Sequence, residues 1–482
     1  MGDFASDDDY VTMTPVPNPR HHNLRRRFVR AVLTVGALVL AATAAIAVSP
    51  GADTTIAAIG DPLGAGGEFH KVTPTRIQDS RDPALDIASR KGKKPTGPNR
   101  NSVQFDVPLL GAGSPLPADG VLAVVANITV VQPSQAGYLS AYPKGSSPGI
   151  SSVANFKAGQ NVANSTILRP GTDGKVTFHL NTPAGSGQAH FLVDITGWFS
   201  TSSYATRGAR VVPVNPVRAY DSGKNRLVGA KKVDLQITGQ HGVPGNNVVG
   251  VIVNITGVNA FGGSKPTYLS VVPDNFSVAD KKAWPKTSNL NLQVGQTRAN
   301  LAVMPVGADG KIRLFSAGGE VRAVVDITGY LLANQPENTT TGRVIPLETA
   351  FRSLDTRQAA FQDQPLGPAM AEDFSFAAFA ADVRIGSEPV GPQSGLFGNL
   401  TAVGLQPTPS WQTDERSHLT VYPSPSSGAS KTPPTISNLN ITQGEAVPNM
   451  ALLTYGSDTR IRFFNFDGYV DYILDVYAVV LD

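Results

Sequence analysis

Residues 121–129 read VLAVVANIT, residues 248–256 read VVGVIVNIT, and Asn399-Leu-Thr401 closes a third stretch of the same kind. The recurrence extends well beyond this stretch. Upstream stand Pro74-Thr-Arg76-Ile-Gln-Asp79-Ser-Arg81, Pro216-Val-Arg218-Ala-Tyr-Asp221-Ser222 and Arg352-Ser-Leu-Asp355-Thr-Arg357. Downstream come Tyr138-Leu-Ser-Ala-Tyr-Pro143, Tyr268-Leu-Ser-Val-Val-Pro273 and His418-Leu-Thr-Val-Tyr-Pro423. Next follow Asn155-x3-Gly-Gln-x3-Asn164, Asn291-x3-Gly-Gln-x3-Asn300 and Asn440-x3-Gly-Glu-x3-Asn449, and each copy closes on Val-Asp194-Ile-Thr-Gly-Trp198, Val-Asp326-Ile-Thr-Gly-Tyr330 or Leu-Asp475-Val. Five motifs in one order, three times over, establish an internal triplication and set the fold problem as one unit used three times.

Within a unit the apolar period is two. Val176, Phe178 and Leu180 alternate with Lys175, Thr177 and His179, and Ile461 and Phe463 alternate with Arg460 and Arg462. Alternation of this kind marks a strand with one buried face. The runs 121–126 and 248–253 are continuously apolar and belong in strands covered on both faces. Asp173-Gly174 and Asp309-Gly310 precede strands as tight-turn pairs, whereas the third copy has Asp458-Thr459 and is expected to turn differently. No amphipathic helical pattern follows residue 50. The expectation is an all-β chain of three tandem β-sandwich domains after an N-terminal hydrophobic helix, with barrel or trefoil units as the other choice.

The boundaries follow. Residues 1–30 are a polar, basic segment, and 31–48 (AVLTVGALVLAATAAIAV), behind Arg25, Arg26, Arg27 and Arg30, read as a signal-peptide core or a membrane anchor helix. Residues 49–69 read as a tether, and 70–200, 211–332 and 343–482 as the three repeats. The connector ANQPENTTTG between the second and third has the composition of an exposed linker. This places the repeats on the extracellular side of the cell envelope, secreted or anchored by residues 31–48.

Composition narrows the chemistry. The chain of 482 residues has no cysteine, which excludes disulfides, thiolate metal sites and thiol nucleophiles. A net charge of +3 with no basic stripe gives no nucleic-acid footprint. No Ser/His/Asp arrangement or paired-acid spacing emerges from the 7 scattered histidines, and no cofactor is implied.

The recurring polar residues read as structural. A carboxylate held between two guanidiniums, as Asp79 between Arg76 and Arg81 or Asp355 between Arg352 and Arg357, is a poor general base; capping a turn and bridging to a neighbouring strand suits it better. Arg218 and Asp221 repeat the pattern with Gly223 in place of the second arginine. Asn127, Asn254 and Asn399 match a glycosylation sequon but follow apolar strands. They are expected, with Asn164, Asn300 and Asn449, to be interior hydrogen-bonding groups. Asp194, Asp326 and Asp475 end the closing strand with no second carboxylate at a ligand spacing, so no metal site is assigned. Trp284 and Trp411 lie in loops that expand between copies, and are the candidate binding residues for a sugar ring or a protein partner.

The ordered motifs, R-x-x-D-[ST]-R through N-[IL]-T, Y-L-x-x-x-P and N-x3-G-Q-x3-A-N to V-D-I-T-G-[WY], resemble a tandem repeat domain of actinobacterial secreted and cell-surface proteins. The resemblance covers nearly all of 70–482 and implies an exported, modular β protein without an established reaction. The third copy departs from it with Tyr477-Ala478 where the final Gly-aromatic pair stands. The functional expectation is an exported, non-enzymatic structural or adhesion protein. A carbohydrate-binding protein of cell wall or extracellular glycan is the alternative, and a hydrolase is the third reading. Partners would be the membrane through 31–48, envelope polysaccharide or another envelope protein.

Overall fold

The computed structural model describes residues 56–57, 66–86, 102–111, 113–183, 187–261, 266–275, 285, 287–359, 364–408, 416–425 and 432–482. The signal or anchor segment at 31–48 and the loops carrying Trp284 and Trp411 lie outside them. The described chain is 58% strand and 4% helix. Residues 44–482 form one compact unit.

The elements repeat as the motifs do. After β1 (Ile56–Ala57), the first copy comprises β2 (Phe69–Asp79), β3 (Ser102–Pro108), β4 (Val121–Val131), β5 (Gly137–Pro143), β6 (Ala154–Phe156), β7 (Val162–Leu168), β8 (Lys175–Asn181) and β9 (His190–Ser200). The second has β10 (Arg210–Asp221), β11 (Leu227–Val228), β12 (Lys231–Gln236), β13 (Val248–Phe261), β14 (Thr267–Pro273), β15 (Leu290–Leu292), β16 (Arg298–Pro305), β17 (Lys311–Ser316) and β18 (Glu320–Leu332). The third has β19 (Val344–Asp355), β20 (Met370–Ser375), β23 (Gln393–Gln406), β24 (Arg416–Pro423), β25 (Leu439–Thr442), β26 (Val447–Thr454), β27 (Arg460–Asn465) and β28 (Tyr469–Leu481). Between β20 and β23 it inserts α1 (Ala377–Asp382), β21 (Val383–Ile385) and β22 (Glu388–Pro389), and β1 from the expected tether pairs in parallel with β21.

Each copy builds two sheets by crossing repeatedly between them. The orders are β2-β9-β4-β7 and β3-β8-β5-β6, then β10-β18-β13-β16 and β12-β17-β14-β15, then β19-β28-β23-β26 and β20-β27-β24-β25. The pairings that define these sheets are antiparallel, and the first strand of each copy bulges against its partner at the R-x-x-D motif.

The expected row of three tandem β-sandwich domains is therefore corrected, as are barrel and trefoil units. The body is a six-blade, propeller-like arrangement of small sheets. Its blades come in three pairs and are interleaved in sequence rather than sequential meanders. Each pair encloses an apolar cluster of its own, around Phe178, Leu314 or Phe463. A fourth cluster draws on all three copies, with Phe199 and Val125 from the first, Leu301 and Val303 from the second, and Phe397 and Leu452 from the third. This shared core is the physical reason for the correction. Strand β16 (RANLAVMP) is buried at every position, and a copy standing alone in a row would leave one face of that strand in water.

Two local expectations also change. Asp458 and Thr459 adopt left-handed φ of 59° and 56°, the same backbone solution that Asp173 and Gly174 use at 58° and 65°. The third copy thus turns as the first does, with a β-branched residue where glycine would be unstrained. Among the described residues no helix is long and apolar enough to cross a membrane. That finding overturns the transmembrane-helix and signal-peptide assignments as features of the described structure, in which α1 spans only 6 residues.

Candidate functional site

The conserved order of motifs becomes intelligible at the seams between copies. Asn164 donates from Nδ2 to Asn399 Oδ1 at 2.9 Å and to the Val153 carbonyl at 2.7 Å, while its own Oδ1 accepts from the Met450 backbone N–H at 3.0 Å. Asn300 donates to Asn127 Oδ1 at 2.9 Å and to the Asn289 carbonyl, and accepts from Ser165 N–H at 3.0 Å. Asn449 donates to Asn254 Oδ1 at 2.8 Å and to the Asn438 carbonyl at 2.6 Å, and accepts from Leu301 N–H at 3.0 Å. The ring is closed and directional: copy one bonds copy three, three bonds two, and two bonds one.

The receiving amides complete it. Asn127, Asn254 and Asn399 donate to the carbonyls of Ser288, Ser437 and Ser152, at 2.7, 2.7 and 2.8 Å, each on the neighbouring copy. All six asparagines are at most 3% exposed. Burial excludes them as glycan acceptors in the folded protein. An asparagine side chain offers both donor and acceptor, so one residue type can satisfy a ring of equivalent positions. Gly159, Gly295 and Gly444 between the motif asparagines take φ of 73°, 77° and 69°, the left-handed turn that brings each strand pair to the seam.

The arginine–aspartate motif crosslinks first and last strands within a copy. Arg76 grips Asp194 through two bonds at 2.8 and 3.0 Å, Arg352 grips Asp475 at 2.8 and 3.1 Å, and Arg218 grips Asp326 at 2.7 and 3.4 Å. Arg81 and Arg357 clasp Asp79 and Asp355 two residues back. In the second copy, where Gly223 replaces that arginine, Arg322 of β18 reaches across to Asp221 instead. The charge pattern is thus preserved from a different strand. Burial pushes Asp326 up to about 6, the Arg218 pairing offsetting only part of the desolvation, and it raises Asp194 and Asp475 likewise. Burial also opposes the charged forms of Asp79 and Asp355, but Arg81 and Arg357 outweigh it and hold both carboxyls below their usual range.

Sequence reasoning missed a charged hub. Glu68, Arg210 and Arg343 occupy equivalent positions at the start of the first strand of each copy, Arg210 as its first residue and the other two directly before it. The three copies meet there through backbone bonds such as Gly67 N–H to Val344 O, Ala209 N–H to Phe69 O and Val211 N–H to Gly342 O. Glu68 accepts from Arg207 at 2.6 and 2.8 Å, Arg210 at 3.1 Å and the Gly208 N–H at 2.9 Å, with Arg343 3.8 Å away. Burial works against its charge, yet the arginines prevail and lower it to about 2. Arg210, 1% exposed, also donates to Thr339 and to the Pro336 carbonyl, so the expected exposed connector is anchored. Their separations of 142 and 133 residues, within one residue of the 142 and 134 between Arg76, Arg218 and Arg352, were the available signal.

Two small cavities lie at the seams among the described residues. One cavity of about 30 Å³ lies between Tyr142, Arg169, Glu348 and Tyr477, and another of about 20 Å³ lies among Gln160, Gln296 and Arg298. Each holds one or two waters at most. Among the described residues no group of three or more His, Asp or Glu is placed to hold a metal ion. Between Asp79 and Arg81, the Ser80 hydroxyl meets the His190 ring at 2.9 Å.

No protein-family model matches the chain, and no curated protein matches it either. Solved structures give distant likenesses. The N-terminal tandem CBM22 domains of Paenibacillus barcinonensis Xyn10C are 8% identical, with 57% of this chain and 100% of that one covered and a TM-score of 0.16. A chain of Sulfolobus turreted icosahedral virus is 8% identical over 88% of this chain and 99% of its own, at a TM-score of 0.18. The triple jelly roll protein of an archaeal virus turret is 9% identical over 88% and 98%, at 0.17. TM-scores this low do not extend to a shared overall architecture.

Proposed function

We propose that this chain is a non-enzymatic structural or adhesion protein of the extracellular side of the cell envelope, a closed scaffold that holds variable loops in fixed relation. One observation supports the reading above others: every asparagine, arginine and aspartate that recurs through the three copies is bonded within the scaffold, and the six asparagines join one copy to the next. Catalytic groups need an accessible substrate position within hydrogen-bond reach. The two small cavities described at the seams have room for no more than one or two waters and are lined by none of the six asparagines or the recurring arginine–aspartate pairs. Rigid β frameworks with variable connections suit recognition at the connections.

Location is tested by labelling intact cells with a membrane-impermeant amine reagent, alongside a cytoplasmic marker. The chain is expected to be labelled while the marker is protected; labelling only after lysis would overturn the reading.

A further inference from the structure

The three copies meet a second time, at the far end of the inner sheets. The hub lies where Phe69, Phe199 and Ala123 stand side by side, whereas Val162, Val130 and Phe191 stand at the other end of the same sheet. There the recurring Gly-Gln turn brings Gln160 and Gln296 to a cavity of about 20 Å³ that Asn161, Arg298, Ala446 and Pro448 also line. All three copies contribute to its wall. It has room for a water or for an ion of similar size.

The wall is rich in donors. Gln160 accepts the Lys157 backbone N–H through Oε1 at 3.0 Å, Gln296 accepts the Gln293 N–H at 3.1 Å, and Asn161 accepts the Gln132 N–H through Oδ1 at 2.9 Å. Only the oxygen of a side-chain amide can accept a backbone N–H, so these bonds fix which end of each amide is which. The three oxygens are thus taken up by the scaffold, and the three amide nitrogens have no protein acceptor among the described residues. Arg298, 8% exposed, adds its guanidinium to the same wall. Asn155 and Asn291, on that wall too, are bonded to the Ser152 and Ser288 hydroxyls.

Charge favours the same kind of occupant. Glu445 stands where the first two copies have Gln160 and Gln296. Its N–H makes the equivalent turn bond, to the Thr442 carbonyl at 3.2 Å, but its carboxylate pairs with Arg298 and, at 3.4 Å, with Lys157. One carboxylate therefore faces two cations, one from each of the other copies. Burial and the neighbouring Arg416 lower Arg298 to about 10, and burial and Arg298 lower Lys157. A small anion relieves that excess of positive charge while it accepts from the idle donors.

We propose that this cavity is a structural halide site, which takes chloride among the amide N–H groups of Gln160, Asn161 and Gln296 and the Arg298 guanidinium and so ties the three copies together opposite the hub. Phosphate, sulfate and gluconate exceed the space. The site works alike on either side of a membrane, so it stands or falls separately from the location of the chain.

The experiment is thermal unfolding of the full chain while sodium chloride replaces sodium gluconate at constant total salt, with chloride line broadening in NMR as the direct measure of binding. A ligand held only by the folded chain raises the unfolding midpoint with the logarithm of its concentration, here by about 1 °C for each tenfold increase. The double variant Gln160→Glu, Gln296→Glu keeps both turn acceptors, removes two donors and repels an anion. It is expected to lose that rise and the broadening. Glu445→Gln keeps the donors and removes the competing carboxylate, and is expected to lower the half-saturating chloride concentration about tenfold. Equal chloride dependence in parent and double variant would overturn the proposal, since the effect would then be one of salt in general. So would absent broadening in the parent, broadening retained by the double variant, or weaker binding after Glu445→Gln. Should the double variant not fold, the parent and Glu445→Gln decide.

Discussion

The amide seam and the charged hub both join all three copies, yet they are built on opposite principles. At the seam the same residue stands at each equivalent position, and Asn164, Asn300 and Asn449 make the same set of bonds. At the hub the equivalent positions hold Glu68, Arg210 and Arg343. An amide is donor and acceptor at once, so it closes a ring of like residues. Three carboxylates or three guanidiniums would repel, so a charged junction must break the symmetry. A triplicated chain can therefore keep its neutral contacts alike in all copies, but its central ion pairs diverge.

The sharpest way to break this comparison is Asn164→Ala, Asn300→Ala and Asn449→Ala, one at a time. Each strands a neighbouring amide, a carbonyl and a backbone N–H in the interior, and each is expected to cost about 3 kcal/mol in denaturant unfolding. Near-equal losses support equivalence; one neutral variant would show that the ring is open there.

Glu68→Gln is expected to cost about 2 kcal/mol at neutral pH, allowing for solvent screening of a carboxyl lowered to about 2. The sign is set by the depressed value. The stabilisation is complete above the unfolded value near 4.5 and fades as pH falls toward 2, so parent and variant curves should converge across that window. A gap that does not change with pH would mean that Glu68 acts by shape and not by charge.

Thr459→Gly should raise stability by about 1 kcal/mol, since it relieves a β-branched residue at φ 56°. Loss of stability would show that the threonine side chain contributes more than its backbone strain costs. The smallest effect is expected at the compensating arginine: Arg322→Ala and Arg81→Ala, at 39% and 42% side-chain exposure, should each lower stability by less than about 1 kcal/mol and by similar amounts. A much larger loss for Arg322 would mark it as more than a stand-in for the residue that Gly223 replaces.

Much of this was legible beforehand at the level of the single copy. Alternation at Val176, Phe178 and Leu180 placed β8, and the continuous runs placed β4 and β13, because those patterns report one or two buried faces. What covers the second face was not legible. The row-of-sandwiches expectation assumed that each copy covers itself, while β7, β16 and β26 are covered in part by their neighbours. The tryptophan loops drew notice because aromatics stand out in a polar segment. Gln160 and Gln296 escaped it because a glutamine in a turn reads alike whether or not its oxygen is already bonded.

The sequence by itself determined that one β unit is used three times, which residues recur in it, and that no cysteine chemistry is available. Periodicity and order are properties of the chain alone, readable without coordinates. Only the tertiary structure decided that Asn164 meets Asn399 across 235 residues, that Glu68 gathers three arginines, and that the copies close on a shared core. Those contacts join positions remote along the chain, and a linear pattern carries no term for which surface another surface will cover.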